Sequence, residues 1–166
     1  MDKSRGITAL LVSKLTPDDF VVNYERIEHQ AALRTKKIVR QIFSERIWRS
    51  MPIAYVFDRF SLHYLLQRME GHSKRIWNRF SSGFSQGSYL GSWRTPLTEM
   101  EKKYLRRLFC AMAFSEDSDP AIREQGKCEY LKEKNSILQE AGNASSYFPQ
   151  LATRICELEA LITQST

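Results

Sequence analysis

The chain has 166 residues, 42% of them hydrophobic, which is enough for one continuous core without disulfides or metals. Its 25 Lys and Arg stand against 19 Asp and Glu for a net charge of +6, and its three cysteines, Cys110, Cys128 and Cys156, form no C-x-x-C pair and leave one thiol over in any disulfide scheme. A disulfide-stapled secreted scaffold is excluded on these grounds and a cytoplasmic, reducing setting is expected; the apolar run from Ile7 to Val12 is too short for a signal sequence, and no stretch approaches the roughly 18 apolar residues that span a bilayer.

Ile7, Leu10, Leu11 and Leu15 recur at near-helical spacing and predict a short first helix. Thr16-Pro17-Asp18-Asp19 then starts a long one: the threonine caps free amides, proline suits the first helical position, and the aspartates meet the positive end of the dipole. Phe20, Tyr24, Ile27, Ala31, Ile38 and Ile42 keep a three-or-four spacing toward Met51 and are expected to face inward, with a bend or break between Arg34 and Lys37, where the stripe thins. After Pro52, a wide apolar face from Ile53 to Met69 (Val56, Phe57, Phe60, Tyr64, Leu65) predicts one central helix that ends at Gly71. A brief helical turn over 74–80 leads into an irregular connection carrying Gly83, Gly87 and Gly91.

Thr98-Glu99-Met100-Glu101 fits a capping box, and the stripe Tyr104, Leu105, Leu108, Met112 carries a helix to about Phe114. Ser118-Asp119-Pro120 opens another toward Gly142, with Ile122, Leu131, Ile137 and Leu138 inward and Gly126 weakening its middle. A last helix from about Pro149 sets Leu151, Ile155, Leu158 and Ile162 in heptad steps, a stripe suited to docking on the bundle or on a partner. No segment alternates at period two over a strand's length. The chain is therefore expected to form an all-α, single-domain bundle of about five to six helices spanning residues 1–166.

Enzymatic chemistry finds little footing. Gly83-Phe84-Ser85-Gln86-Gly87 matches the G-x-S-x-G nucleophile elbow, but the elbow needs a strand before the serine and a helix after it, and neither is predicted. His29, His63 and His72 lie at no metal-ligand spacing from one another or from a cysteine, so no metal site, cofactor or catalytic residue is assigned.

Charge is more informative when divided along the chain. Residues 1–33 carry four Lys and Arg against five Asp and Glu, residues 34–107 carry 16 against 5, and residues 108–166 carry 5 against 9, giving −1, +11 and −4. Within the basic middle, Lys36, Lys37 and Arg40 fall off the Ile38 and Ile42 stripe and are expected to face solvent or a polyanion. Arg46 and Arg49 project near that stripe, so either the helix bends or they meet a partner. Lys74, Arg75, Arg79 and Arg94 interleave with aromatic rings, and Lys102, Lys103, Arg106 and Arg107 add a further cluster. Cations for phosphates and rings such as Trp77 or Trp93 for base stacking are what single-stranded nucleic acid requires. The plainer readings are a solvated surface and a lid of aromatic rings on the core.

In length, helix content and charge placement the chain resembles the small α-helical subunit of CRISPR-type RNA-guided effector complexes. That resemblance implies a non-catalytic subunit that steadies a nucleic-acid strand through phosphate contacts and packs against larger protein subunits or further copies of itself. Two functions are thus expected in competition: an accessory subunit that binds the backbone of single-stranded DNA or RNA, and a helical protein–protein interaction module. Neither involves a membrane.

Overall fold

In the computed structural model, which describes residues 15–81 and 98–143 together with positions 153, 156, 157 and 160, Thr16 opens the first helix as its sequence requires. The Thr16 hydroxyl accepts from the Asp19 amide at 3.2 Å, Pro17 occupies the first turn, and α1 runs Pro17–Ile42. It stays helical through Arg34 and Lys37 and stops at Phe43, whose extended backbone caps it. A single turn, α2 (Glu45–Trp48), and a 3₁₀ turn (Pro52–Tyr55) follow.

The continuous helix expected from Ile53 to Met69 is divided: the 3₁₀ turn ends at Tyr55, and α3 begins only at Phe60 (Phe60–Met69). The reason lies in α1. Carbonyls that would continue a helix are taken by its side chains, the Val56 carbonyl by the Lys36 ammonium at 2.7 Å and the Phe57 carbonyl by His29 Nε2 at 2.7 Å. Gly71 ends α3 in the left-handed conformation, φ 73°, and α4 (His72–Phe80) starts at the next residue.

The capping box forms in full at the start of α5 (Glu99–Ser115): Thr98 Oγ1 accepts from the Glu101 amide, and the Thr98 amide donates to the Glu101 carboxylate at 2.8 Å. The last long element, α6 (Pro120–Asn143), pairs with α5 along its length. The four described positions beyond 150 are helical, while the first predicted helix up to Lys14 and the Gly83–Gly91 connection with its G-x-S-x-G match lie outside the described residues. The architecture is an all-α bundle with no strand among the described residues.

Three apolar clusters hold it. Phe57, Leu62, Leu65 and Met69 meet Leu105, Leu108, Phe109, Met112 and Ile137 at the centre, joining α3, α5 and α6. Phe20 and Val21 meet Ile76 and Trp77 where α4 crosses the start of α1. Trp48, Ala54, Phe114 and Ile122 close the other end. On α6, Ile122 and Ile137 are buried as expected, but Leu131 and Leu138 are exposed, because the stripe that faces α5 takes in Gly126.

Gly126 does not merely weaken its helix. A Cβ there would fall onto backbone atoms of Phe114 and Ser115, nearer than real Cβ atoms come, so the absence of a side chain sets the α5–α6 approach. Replacement by alanine ordinarily gains about 1 kcal/mol of helix propensity. Here Gly126→Ala is expected to lose about 2 kcal/mol net through overpacking, read as a lower urea midpoint.

Candidate functional site

Beyond Phe20 and Val21 the side chains that α1 buries are ionisable, while a row of apolar ones stands on its outward side. Glu25, His29, Lys36 and Arg40 follow steps of four, seven and four residues and point into the fold; Ile27, Ala31, Ile38 and Ile42 repeat the same steps two residues later on the opposite side. Glu25, His29 and Lys36 are buried and Arg40 half-buried, whereas Ile27 is 68% exposed, Ile38 54% and Ile42 68%. The inward placement expected for these isoleucines, and the solvent-facing placement expected for Lys36 and Arg40, are both reversed.

Each inward side chain has a dedicated partner. Lys36 pairs with Asp58 at 3.0 Å, and Asp58 also accepts from the Ser118 amide. Arg40 lies with its guanidinium on the fully buried Asp117 carboxylate and over the Trp48 ring, 4.3 Å from its centroid. Burial alone would raise the Asp117 pKa; the Arg40 hydrogen bonds and charge, with the Asp119 amide, lower it instead. His29 donates to Phe57 and stacks on His63, ring centroids 4.7 Å apart, and its pKa is lowered by burial.

Glu25 is the centre of the remaining group. Its Oε1 accepts from Ser73 Oγ at 2.9 Å and His72 Nδ1 at 3.0 Å, while Oε2 faces His63 Nε2 at 3.7 Å. Burial favours the neutral acid, yet His63, His72 and Ser73, all directed at the carboxylate, outweigh it and hold the pKa at about 2. The hydrogen bond to Glu25 raises the His72 pKa in return. Glu28, one turn along α1, brings a second carboxylate within 4.8 Å of the Glu25 and His72 ligand atoms. Reading histidine spacing along the chain missed this group because its members come from α1, α3 and α4. The signal available was the placement of Glu25 and Glu28 on the face shared with His29.

The cations expected to bind phosphate do not converge. Lys36, Arg40, Arg49, Lys102, Arg106 and Arg107 are ion-paired within the chain, the last four with Glu45 and Glu129, Glu99, Glu70, and Glu133 with Glu140 respectively. Arg49 also lies over the Phe114 ring, so the partner sought for it is internal. Lys103, Arg106 and Arg107 line an α5–α6 groove of about 750 Å³, but Glu99, Glu129 and Glu133 line it too. Lys37, Arg46, Lys74, Arg75, Arg79 and Lys103 are exposed without an ion pair among the described residues. Lys74, Arg75 and Arg79 share α4, which packs on the start of α1, whereas Lys37 lies 16 residues beyond Val21, about 24 Å along the axis at 1.5 Å per residue.

Trp77 is 8% exposed with its ring edge-on to Phe20, so it offers no free face for a base and takes the plainer role of core packing. Trp93, Arg94 and the docking stripe Leu151, Ile155, Leu158 and Ile162 lie outside the described residues. Cys110 is half-buried with its thiol pKa raised by burial; Cys128 and Cys156 are exposed, and all three are free. No helix among the described residues is long and apolar enough to cross a membrane. Comparison with known proteins returns no matching family model, no matching curated protein and no matching solved structure.

Asp117 supplies a test of the inward charges. Its folded pKa lies below the unfolded value, so its contribution to stability is complete above the ordinary aspartate range and is lost as pH falls through the folded pKa. Asp117→Asn is expected to cost about 3 kcal/mol in urea unfolding at neutral pH by stranding Arg40, and the gap to the unmodified chain should close in acid, where the native aspartate is itself protonated.

Proposed function

We propose that the chain is a non-catalytic helical interaction module that docks an amphipathic helix of a partner protein on the outward face of α1. The observation that carries this reading is the exposed stripe of Ile27, Ala31, Ile38 and Ile42, beyond which Phe43 and Ile47 also stand exposed. A soluble helix normally turns its apolar stripe inward; here the inward face is committed to ion pairs, and several large side chains are left in water at roughly 1.5–3 kcal/mol each of unrealised burial.

The chemistry of the occupant follows from the flank. Arg34 and Lys37 lie beside the stripe, are exposed and make no ion pair among the described residues. A partner helix with an apolar stripe edged by Asp and Glu matches both features, with burial supplying affinity and the cations supplying orientation. Free thiols at all three cysteines support a cytoplasmic setting.

A second reading rests on α4, where Lys74, Arg75 and Arg79 are exposed together and suited to a phosphate backbone. It ranks lower because half of the twelve described cations assigned to that role are ion-paired within the chain.

Fluorescence anisotropy separates the two. A labelled synthetic helix with leucines at helical spacing and glutamate flanks should bind saturably, and its lysine-flanked counterpart should not. Ile38→Glu should weaken binding at least about tenfold without lowering the melting temperature, since that side chain is already in water. Equal binding of the two peptides, or indifference to Ile38→Glu, would overturn the docking proposal. Salt-sensitive binding of a labelled single-stranded oligonucleotide, abolished by reversing Lys74, Arg75 and Arg79, would establish the second reading in its place.

A further inference from the structure

We infer that Glu25, Glu28 and His72 form a binding site for a divalent first-row transition metal of the Zn²⁺ class, with His63 at its edge. The ligand atoms of the first three lie within 4.8 Å of one another. A tetrahedral site with bonds of about 2.0 Å needs ligand atoms about 3.3 Å apart, so modest side-chain movement suffices. Two elements meet to make it. Glu25 and Glu28 are one turn apart on α1, and His72 is the first residue of α4, fixed there by the left-handed Gly71 before it. Two carboxylates balance a dication, and an imidazole nitrogen beside them favours a transition metal over Mg²⁺ or Ca²⁺.

A separate observation points to a ligand. Glu25 is fully buried, yet its Oε2 has no hydrogen-bond partner; His63 is 8% exposed, and its Nε2 has none either. These two atoms face each other at 3.7 Å, within ion-pair range but too far apart for a hydrogen bond. Buried polar atoms ordinarily find partners, and leaving one bare costs about 1–3 kcal/mol. A cation seated among Glu25, Glu28 and His72 gives the second Glu25 oxygen a partner and makes the carboxylate bidentate, while His63, outside that set of mutually close ligand atoms, borders the site through Glu25. Glu28 and the His72 side chain, 33% exposed, leave a path for the ion to enter. The bound ion would tie α1 to α4 and hold the outward face of α1 in a fixed position, although the inference does not depend on what docks there.

The test is titration of the full chain with Zn²⁺ against a chromophoric chelator, together with thermal unfolding with and without Zn²⁺. Stoichiometric uptake and a raised melting temperature are expected. Glu25→Gln risks misfolding, so the deciding variant is Glu28→Gln at a partly exposed position, which should weaken Zn²⁺ binding at least about tenfold while metal-free melting stays unchanged. No stoichiometric uptake would overturn the inference. So would Glu28→Gln binding as the unmodified chain does, or loss of uptake on Cys128→Ser or Cys156→Ser, which would place the ion on exposed thiols.

Discussion

The fold depends on four ionisable side chains of α1 finding partners on segments far along the chain. Glu25, His29, Lys36 and Arg40 enter a poorly hydrated interior, and each would be costly there alone: an unpaired buried charge is worth several kcal/mol against folding. The partners arrive in the non-helical stretch around Val56–Asp58, at the α3–α4 junction and at the Asp117 turn. Those segments are shaped for the purpose. The backbone between the 3₁₀ turn and α3 stays irregular because its carbonyls serve α1, and Asp117 sits buried with one carboxylate oxygen also receiving the Asp119 amide at 2.9 Å.

This arrangement changes what the net charge means. A basic middle third suggests a positive surface, but a cation that closes an internal ion pair contributes little potential outside. Lys36 and Arg40 are consumed in the interior, while Arg106 and Arg107 tie α5 to Glu70 and to the carboxylates of α6. The −4 of the C-terminal third and part of the +11 of the middle thus neutralise each other across the α5–α6 seam. Part of the charge asymmetry along the chain holds elements together, and the cations assigned to phosphate that make no ion pair among the described residues are distributed among α1, α2, α4 and α5.

Features set by local chemistry were legible in the sequence. The Thr16 and Thr98 caps, the Gly71 stop and the start of α6 at Pro120 are decided within three or four residues, and all lie where the residue types place them. The orientation of α1 was not legible, because it is decided by contacts 28 residues away for His29, 47 for Glu25 with His72, and 77 for Arg40. Apolar periodicity names two faces of a helix but assumes which one is buried. On α1 both faces carry the same four-seven-four spacing, and hydrophobicity alone selects the wrong one. The histidine and glutamate cluster was hidden for the same reason, since its members share no segment.

A helix with its polar side inward is expensive unless the outward side has a use. Apolar burial is non-directional and could seat α1 at many rotations; ion pairs and hydrogen bonds to Asp58, Asp117, Phe57 and Ser73 allow one. The inward network therefore does what an apolar stripe cannot: it fixes the rotation of α1 about its own axis and so fixes the register in which Ile27, Ile38 and Ile42 face outward. A preset surface of that kind gives up less conformational entropy on association than one that must form on contact. Under the proposed docking, stability forgone by exposing the isoleucines would be converted into a preset template for a second helix, and the same polar network that forbids the usual packing would make that template specific.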